Sequence, residues 1–342
     1  MQSDFEKPRL DRDQKARLKS LYKRDNYHGF LAIIQDTFWI YVAIAIAIFS
    51  NFWLYPLSIM IIGARQRALA SLLHEAAHGT LFRSLPLNIT IGRVLCGWTI
   101  LQSFDAYRTS HVLNHHPKLG ELTDDPDFKY MTDTGVYHTQ TRVRFLLRFI
   151  LLPLCGRSTV QYVNFLLRDR LFGPLTRRGE RLEATCVIAF HIGLIIVCWQ
   201  SMFLKDLLLF WYLPFLVIFP MIGWFSELAE HYPLMHPAKG KKMYSSRNRY
   251  AGFIERLFIG MHGDNFHLTH HILPGIPHWN LKKATMILSE DIEFCAWDNV
   301  WGGIFTSNEP ERLSLLKFLV NHHRFSTQHD HTILASLEES PT

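Results

Sequence analysis

Residues Phe52–His78 read FWLYPLSIMIIGARQRALASLLHEAAH, an apolar run that passes without a break into His74-Glu75-Ala76-Ala77-His78. A bilayer-spanning helix needs roughly 20 residues, and Phe52–Leu73 meets that length. Histidines four apart share one helix face. If the helix continues past Leu73, its histidine pair emerges just outside the membrane.

Working outward, Leu31–Ser50 is a second apolar run, separated from the first by Asn51. The two form a hairpin whose polar ends are marked by Gln35, Asp36, Arg65 and Arg67. A second apolar block covers 182–225 and is interrupted by Lys205-Asp206. It predicts another hairpin, with spans at 182–200 and 207–225 and bends at Pro214 and Pro220, which membrane helices tolerate. Each hairpin leaves and re-enters on one side, so residues 1–30, 74–181 and 226–342 share a side. Of the 36 Lys and Arg, only Lys205 falls in the loops of the far side. The positive-inside rule makes the shared side cytoplasmic. The expected fold is an all-α, multi-pass integral membrane protein. Four transmembrane helices form two hairpins beneath a cytoplasmic helical cap. Its parts are a cytoplasmic N-terminal segment (1–30), the membrane domain (31–285) and a C-terminal segment (286–342) ending in a polar tail over 322–342.

Composition agrees. The 342 residues are 48% hydrophobic, yet mean hydropathy is only +0.03, as expected for a few spans and a large polar portion. Net charge is +6, and its position beside the apolar runs favours basic membrane flanks over a nucleic-acid surface. The first thirty residues are charged and lack the apolar core of a signal peptide, so the N-terminus is expected to stay where it was made. Cys96, Cys155, Cys186, Cys198 and Cys295 form no CxxC pair and read as thiols in a reducing compartment. Between the hairpins, Asn88–Phe104 is apolar but short and holds Gly92 and Gly97. The stretch 142–175 mixes aliphatics with Arg142, Arg144, Arg148, Arg157, Arg168 and Arg170. It predicts interfacial helices with snorkelling arginines; a solvated helical face is the plainer alternative.

Two further histidine clusters follow the first: His111-Val112-Leu113-Asn114-His115-His116 and His267-Leu268-Thr269-His270-His271. Spacing pairs His111 with His115 and His267 with His270 on single helix faces. All three clusters fall on the shared side. His231, in Glu227-Leu228-Ala229-Glu230-His231, brings the donors to nine. A lone HExxH suggests a zinc hydrolase with Glu75 as base. Nine nitrogens exceed what one ion needs and suit two; imidazole alone does not choose between iron and zinc. His28, His138, His191, His236 and His278 read as surface or packing histidines. His262 is better placed, beside Asp264. His322, His323, His329 and His331 decorate the tail. A haem or metal carrier would need paired histidines inside spans, where only His191 falls. Tyr107-Arg108, ahead of the second cluster, are candidates to face the substrate or a donor protein.

The boxes HEAAH, HVLNHH and HLTHH resemble those of the membrane fatty acid desaturase and hydroxylase superfamily. The third also resembles it in context, Asn265-Phe266-His267 through Ile272-Leu273-Pro274-Gly275-Ile276-Pro277. The likeness covers roughly 30–285, with three boxes in matching order, spacing and sidedness. It implies two iron ions, dioxygen as co-substrate and electrons from a ferredoxin or cytochrome-type donor with its reductase. The implied ligands are His74, His78, His111, His115, His116, His231, His267, His270 and His271. Asn265 stands where the family places a polar residue near a metal-bound water. Ligating imidazoles usually give their other N–H to a carboxylate or carbonyl. Glu75, Asp124, Asp125, Asp127, Glu227, Glu230, Asp264 and His262 are the nearby candidates, Glu75 then being an orienting group. The chain carries no Gly-rich dinucleotide fingerprint and no cysteine set for an iron–sulfur cluster, so the reductant is expected to be a partner. Desaturation or hydroxylation of a lipid acyl chain is what the resemblance implies first. A small polar metabolite, such as an amino acid, is the alternative.

Overall fold

In a computed structural model, residues 8–138, 140–157, 159–173, 178–235 and 242–321 are described. His236 and the histidine-bearing tail lie outside them. Among the described residues there is no strand, only one isolated bridge between Trp301 and Leu313. Four long helices organise the chain: α1 (His28–Phe49), α2 (Tyr55–Ala77), α3 (Arg178–Gln200) and α4 (Leu204–His231). Of these, α1, α3 and α4 are long and apolar enough to cross a membrane. Their exposed faces carry Phe38, Tyr41, Phe49, Ile192 and Trp199, as suits a membrane protein. By contrast α2 is mostly buried, packed against α1 and α4. Arg65 and Gln66 of α2 find partners outside the helix. Arg65 reaches Asp36 of α1 at 3.4 Å and the Leu257 carbonyl at 2.6 Å, and Gln66 donates to the Trp211 carbonyl at 2.9 Å.

The first inter-helix turn brackets Asn51 as expected, with Asn51 and Phe52 at φ 50° and 64°. The second differs. It lies before Leu204, with Met202 at φ 65°, and Lys205 and Asp206 open α4 instead of breaking the block. An acidic residue in the first turn suits the positive end of a helix. At its other end α4 continues past Phe225 to His231, because partners from later in the chain satisfy its last, polar turn.

Close backbone approach holds α2 in place. A Cβ on Gly63 would stand 2.4 Å from the Cβ of Ile218 on α4, and one on Gly92 would stand 2.3 Å from the Cβ of Ala76. Small residues allow such crossings. Residues 208–212 of α4 form a wide turn in which Leu213 N–H bonds to the Leu208 carbonyl. The next carbonyl, Leu209, would look to Pro214, which has no N–H. The Tyr55 hydroxyl donates to it instead, at 2.8 Å. In the cap, Val143, Leu147, Leu151 and Val160 are exposed, but Arg170 corrects the snorkelling expectation. It is buried, its side chain 4% exposed, because Asp127 and Ser110 draw it inward.

Candidate metal centre

Four pieces of backbone bring the histidines together. The end of α2 carries His74 and His78. The helix that begins at Phe104 carries His111, His115 and His116, and the last turn of α4 carries His231. The short helix His267–Ile272 carries the rest. The nine fall into two groups: His74, His78, His111, His116 and His270 in one, and His115, His231, His267 and His271 in the other. Within each group one nitrogen per residue lies within 4.8 Å of all the others.

The pairing differs from that expected by spacing. The helix over Arg108–His115 is wound wide, and His116 N–H bonds to the His111 carbonyl at 3.1 Å. A wide turn stacks residue i+5 under residue i, so the His111 and His116 Nε2 atoms meet at 3.2 Å while His115 turns to the other group. In the third box, His267 meets His271 at 3.0 Å between Nε2 atoms, and His270 instead meets His116 at 3.2 Å. His231 and His267 Nε2 are 2.9 Å apart.

These separations test the fit of metal ions. Donors bound side by side to one ion at about 2.1 Å stand about 3.0 Å apart, which is the spacing observed. The Nε2 atoms of His74 and His78 are buried with no hydrogen-bond partner, as expected of nitrogens aimed at an ion. Burial and mutual repulsion push His111, His116, His267, His270 and His271 well below the usual histidine range, leaving neutral imidazoles with a lone pair to give. In His115, burial acts the same way, but Asp125 and Asp127 outweigh it and hold the ring up at about 9.

The outward-facing nitrogens explain the carboxylates. His115 Nδ1 meets Asp125 at 2.9 Å, and His111 Nδ1 meets Asp127 at 3.3 Å. Asp125 also caps the helix Pro126–Asp133, accepting from Asp127 and Phe128 N–H. Asp127 is gripped by Arg170 Nη2 at 2.5 Å, and Arg170 Nη1 donates to Ser110 at 2.5 Å. His231 Nδ1 meets the Ser245 carbonyl at 3.0 Å. Glu75 lies 3.7 Å from His74 Nδ1 and accepts from Thr80 (2.7 Å) and from His278 N–H (3.0 Å). Glu227 is half-buried within electrostatic reach of Asp127 and Arg170.

Other sequence candidates are placed differently. His262 pairs with Asp36 at 2.7 Å. Asp264 takes Arg249 at 2.9 Å, and the Asn265 amide donates to the Arg249 carbonyl at 3.2 Å. Asp124 lies at the surface with Lys118. His28 pairs with Asp25, and His191 bridges Tyr212 and the Trp98 carbonyl. Tyr107 is buried beneath Arg170, its ring 5.5 Å from that of His111. Sequence reading assigned Arg170 to the membrane surface and passed over Arg249, because nothing in their own neighbourhoods marks them as inward-facing. A cleft against His74, His267 and His270 is lined by Ser71, Glu75, His262 and Asp264, with Leu281 its one aliphatic side chain.

Comparison with known proteins places this arrangement. The family model for fatty acid desaturases matches residues 50–297. A dihydrorhizobitoxine desaturase of Bradyrhizobium elkanii is 33% identical, the match covering 94% of this chain and 92% of that protein. An endoplasmic-reticulum omega-3 fatty acid desaturase of Nicotiana tabacum is 25% identical over 78% of this chain and 73% of its own length. An sn-1 acyl-lipid omega-3 desaturase (ferredoxin) of Synechocystis sp. is 27% identical, over 77% and 76%. None of these supports a zinc hydrolase. With its buried histidine clusters and its match over most of its length, the chain belongs to the fatty acid desaturase family and is an oxidoreductase of that type.

Proposed function

We propose that the nine histidines hold two iron ions and that the protein removes two hydrogens from adjacent substrate carbons with dioxygen. The balance is one CH–CH unit, O2, two electrons and two protons giving one alkene and two waters. The observation that carries this reading is the division of the nine imidazoles into two converging groups at coordination spacing. His74, His78, His111, His116 and His270 would hold one iron, and His115, His231, His267 and His271 the other. When bound, the irons supply dioxygen activation and hydrogen abstraction. Asp125, Asp127 and the Ser245 carbonyl fix the outer nitrogens of His115, His111 and His231, which keeps each Nε2 free and aimed inward. Leu73, Ala76 and Leu268, fully or almost fully buried around the boxes, exclude bulk water. Glu75, Glu227, His262, Asp264 and Asn265 belong to the surrounding polar frame.

In this reading the chain passes the membrane four times as two hairpins, α2 being the pass shielded by its neighbours. The metal centre and both terminal segments lie on the cytoplasmic side, and residues 31–285 form the membrane domain. Electrons come from a ferredoxin or cytochrome-type donor with its reductase; the name of the Synechocystis relative specifies ferredoxin for that protein. Metal analysis of the purified full-length protein tests the centre. About two irons per chain are expected; one zinc and no iron after expression in iron-rich medium overturns it.

The relatives' names offer two substrate classes: a fatty acid or acyl lipid, for the tobacco and Synechocystis proteins, and dihydrorhizobitoxine, for the Bradyrhizobium enzyme. The fuller match to the Bradyrhizobium enzyme, 33% identical over 94% of this chain against 25% and 27% over 78% and 77% for the tobacco and Synechocystis proteins, favours a small polar metabolite over a long acyl chain. Turnover of the reconstituted enzyme on acyl lipids alone, with none on small polar compounds, would refute that preference.

A further inference from the structure

Three arginines drawn into the protein are each met by an acid: Arg65, Arg170 and Arg249 hold a carboxylate oxygen at 3.4, 2.5 and 2.9 Å. Arg67, on the same helix as Arg65, has no carboxylate within 4.0 Å among the described residues. We propose that Arg67 receives the free carboxylate of a small acid substrate, and so selects which compounds present their carbons to the metal centre. The inference rests on the small-metabolite reading of the substrate and deepens it, to a free acid in place of an ester.

Position carries the argument. Arg67, Ser71, His74 and His78 recur at helical spacing and form one stripe along α2. Arg67 Nη1 leans along that stripe towards the histidines, 3.5 Å from Ser71 Oγ. Arg67 stays partly exposed between the fully buried Gln66 and Ala68, so its side chain borders open space. That side chain points into the fold, where Asp264, Tyr162, Glu230 and Tyr107 stand within its electrostatic reach. Arg67 precedes His74 by seven residues, about 10 Å along the axis. A carboxylate held there therefore sets carbons less than about 10 Å away against the histidines.

Neighbouring groups leave Arg67 that role. Asp264 and Glu230 both turn to Arg249, at 2.9 and 3.0 Å. Glu227 lies within electrostatic reach of Arg67 but forms no ion pair with it. Arg67 Nε is buried without a hydrogen-bond partner. The hydroxyls of Tyr107 and Tyr162 likewise donate to no acceptor among the described residues. A cation inside a membrane domain is costly unless an anion meets it. A carboxylate matches the guanidinium fork, two oxygens against two N–H groups. An ester offers the fork no charge and forfeits that pair.

The test is calorimetric titration of the full-length holoenzyme in detergent with hexanoate, 2-aminohexanoate and the methyl ester of each. Wild type is compared with R67Q and R67K, and melting and metal content of the same samples show that each is folded. In wild type each acid should bind at least about tenfold more tightly than its ester, the worth of one charge-assisted hydrogen bond. R67Q should bring acid and ester to equal affinity. R67K should keep part of the preference, since lysine retains the charge without the fork. Should R67Q fail to accumulate as folded protein, R67K decides alone through that reduced ratio. An ester bound by wild type as tightly as its acid, no binding of either acid, or a wild-type ratio in the variants overturns the assignment. Turnover of small uncharged compounds alongside such a result would leave the small-metabolite reading standing; turnover of acyl lipids alone would refute that reading too.

Discussion

Replacing Arg170 with methionine removes a cation that touches no histidine, and the structure sets the cost. The Arg170–Asp127 pair is 2.5 Å long, with side chains 4% and 3% exposed. Methionine fills much of the volume but gives up the guanidinium's place over the Tyr107 and Phe165 rings and strands a buried carboxylate. Breaking such a pair on one side costs about 3–5 kcal/mol. With about 2.1 cal/mol/K of unfolding entropy per residue over 342 residues, each kcal/mol is worth about 1.4 °C, and melting in detergent should fall by roughly 4–7 °C. The same change loosens Asp127, which orients His111. Loss of an orienting partner typically weakens metal affinity by about 10–100-fold. Acting one bond further out, R170M should sit near the lower figure, read as faster iron loss to a chelator. The control is R168M. Arg168 is 53% exposed and pairs with its neighbour Asp169, so its loss should stay within about 0.5 kcal/mol. The double variant D127N/R170M should recover part of the stability lost by R170M, because no unpaired charge remains. If R170M melts like wild type and keeps its iron as long, the chain from Arg170 through Asp127 to His111 is not what holds this centre.

Adjacent histidines should behave differently: H115A and H116A should each abolish turnover but perturb different irons, distinguishable by Mössbauer doublets, and the same doublet affected in both would contradict the grouping. G63A should destabilise by about 1–3 kcal/mol through overpacking against Ile218, whereas G193A, with nothing within 4 Å of a new Cβ, should melt like wild type; equal melting of the two would show that the α2–α4 crossing tolerates a methyl. Y55F removes the donor to the Leu209 carbonyl and should cost about 0.6–1.7 kcal/mol, the range for interhelical bonds in membranes; no change in unfolding in mixed detergent would mean that another group satisfies that carbonyl.

The ends of the first hairpin were legible because Asn51 stands between two long apolar runs, and the turn falls there. The second turn follows Gln200 as expected but is shorter than the expected gap, because Lys205 and Asp206, which look like a break, already belong to the next helix. Charge opposite in sign and adjacent in sequence is equally at home in the first turn of a helix, and the left-handed backbone of Met202 leaves no compositional trace. Likewise, the polar run from Glu227 to His231 reads as the end of a span. It stays helical and buried because Arg249 and the Ser245 carbonyl, well downstream in sequence, meet Glu230 and His231. Tertiary partners of that kind are invisible to a local reading, and so was the inward turn of Arg170, which an aliphatic-basic pattern assigns to the membrane surface.

The division of the histidines shows the same limit in finer detail. Successive residues on a helix point about 100° apart, so the neighbours His115 and His116, like His270 and His271, cannot easily meet one ion. Each adjacent pair instead sends one ring to each group. A sequence carrying two such doublets therefore already implies two centres sharing two helices. Fixed spacing does not say which partner each ring takes, because that depends on how the helix is wound. In the second box the wide turn makes i,i+5 the close pair; in the third, ordinary winding makes it i,i+4. The outcome is a shared wall: the backbone that fixes His115 in one centre fixes His116 in the other. Any strain on Asp125 or Asp127, which hold His115 and His111 from behind, is then felt in both histidine groups, so in the proposed two-iron reading the buried ion pair with Arg170 would matter to both metals although Arg170 touches no histidine.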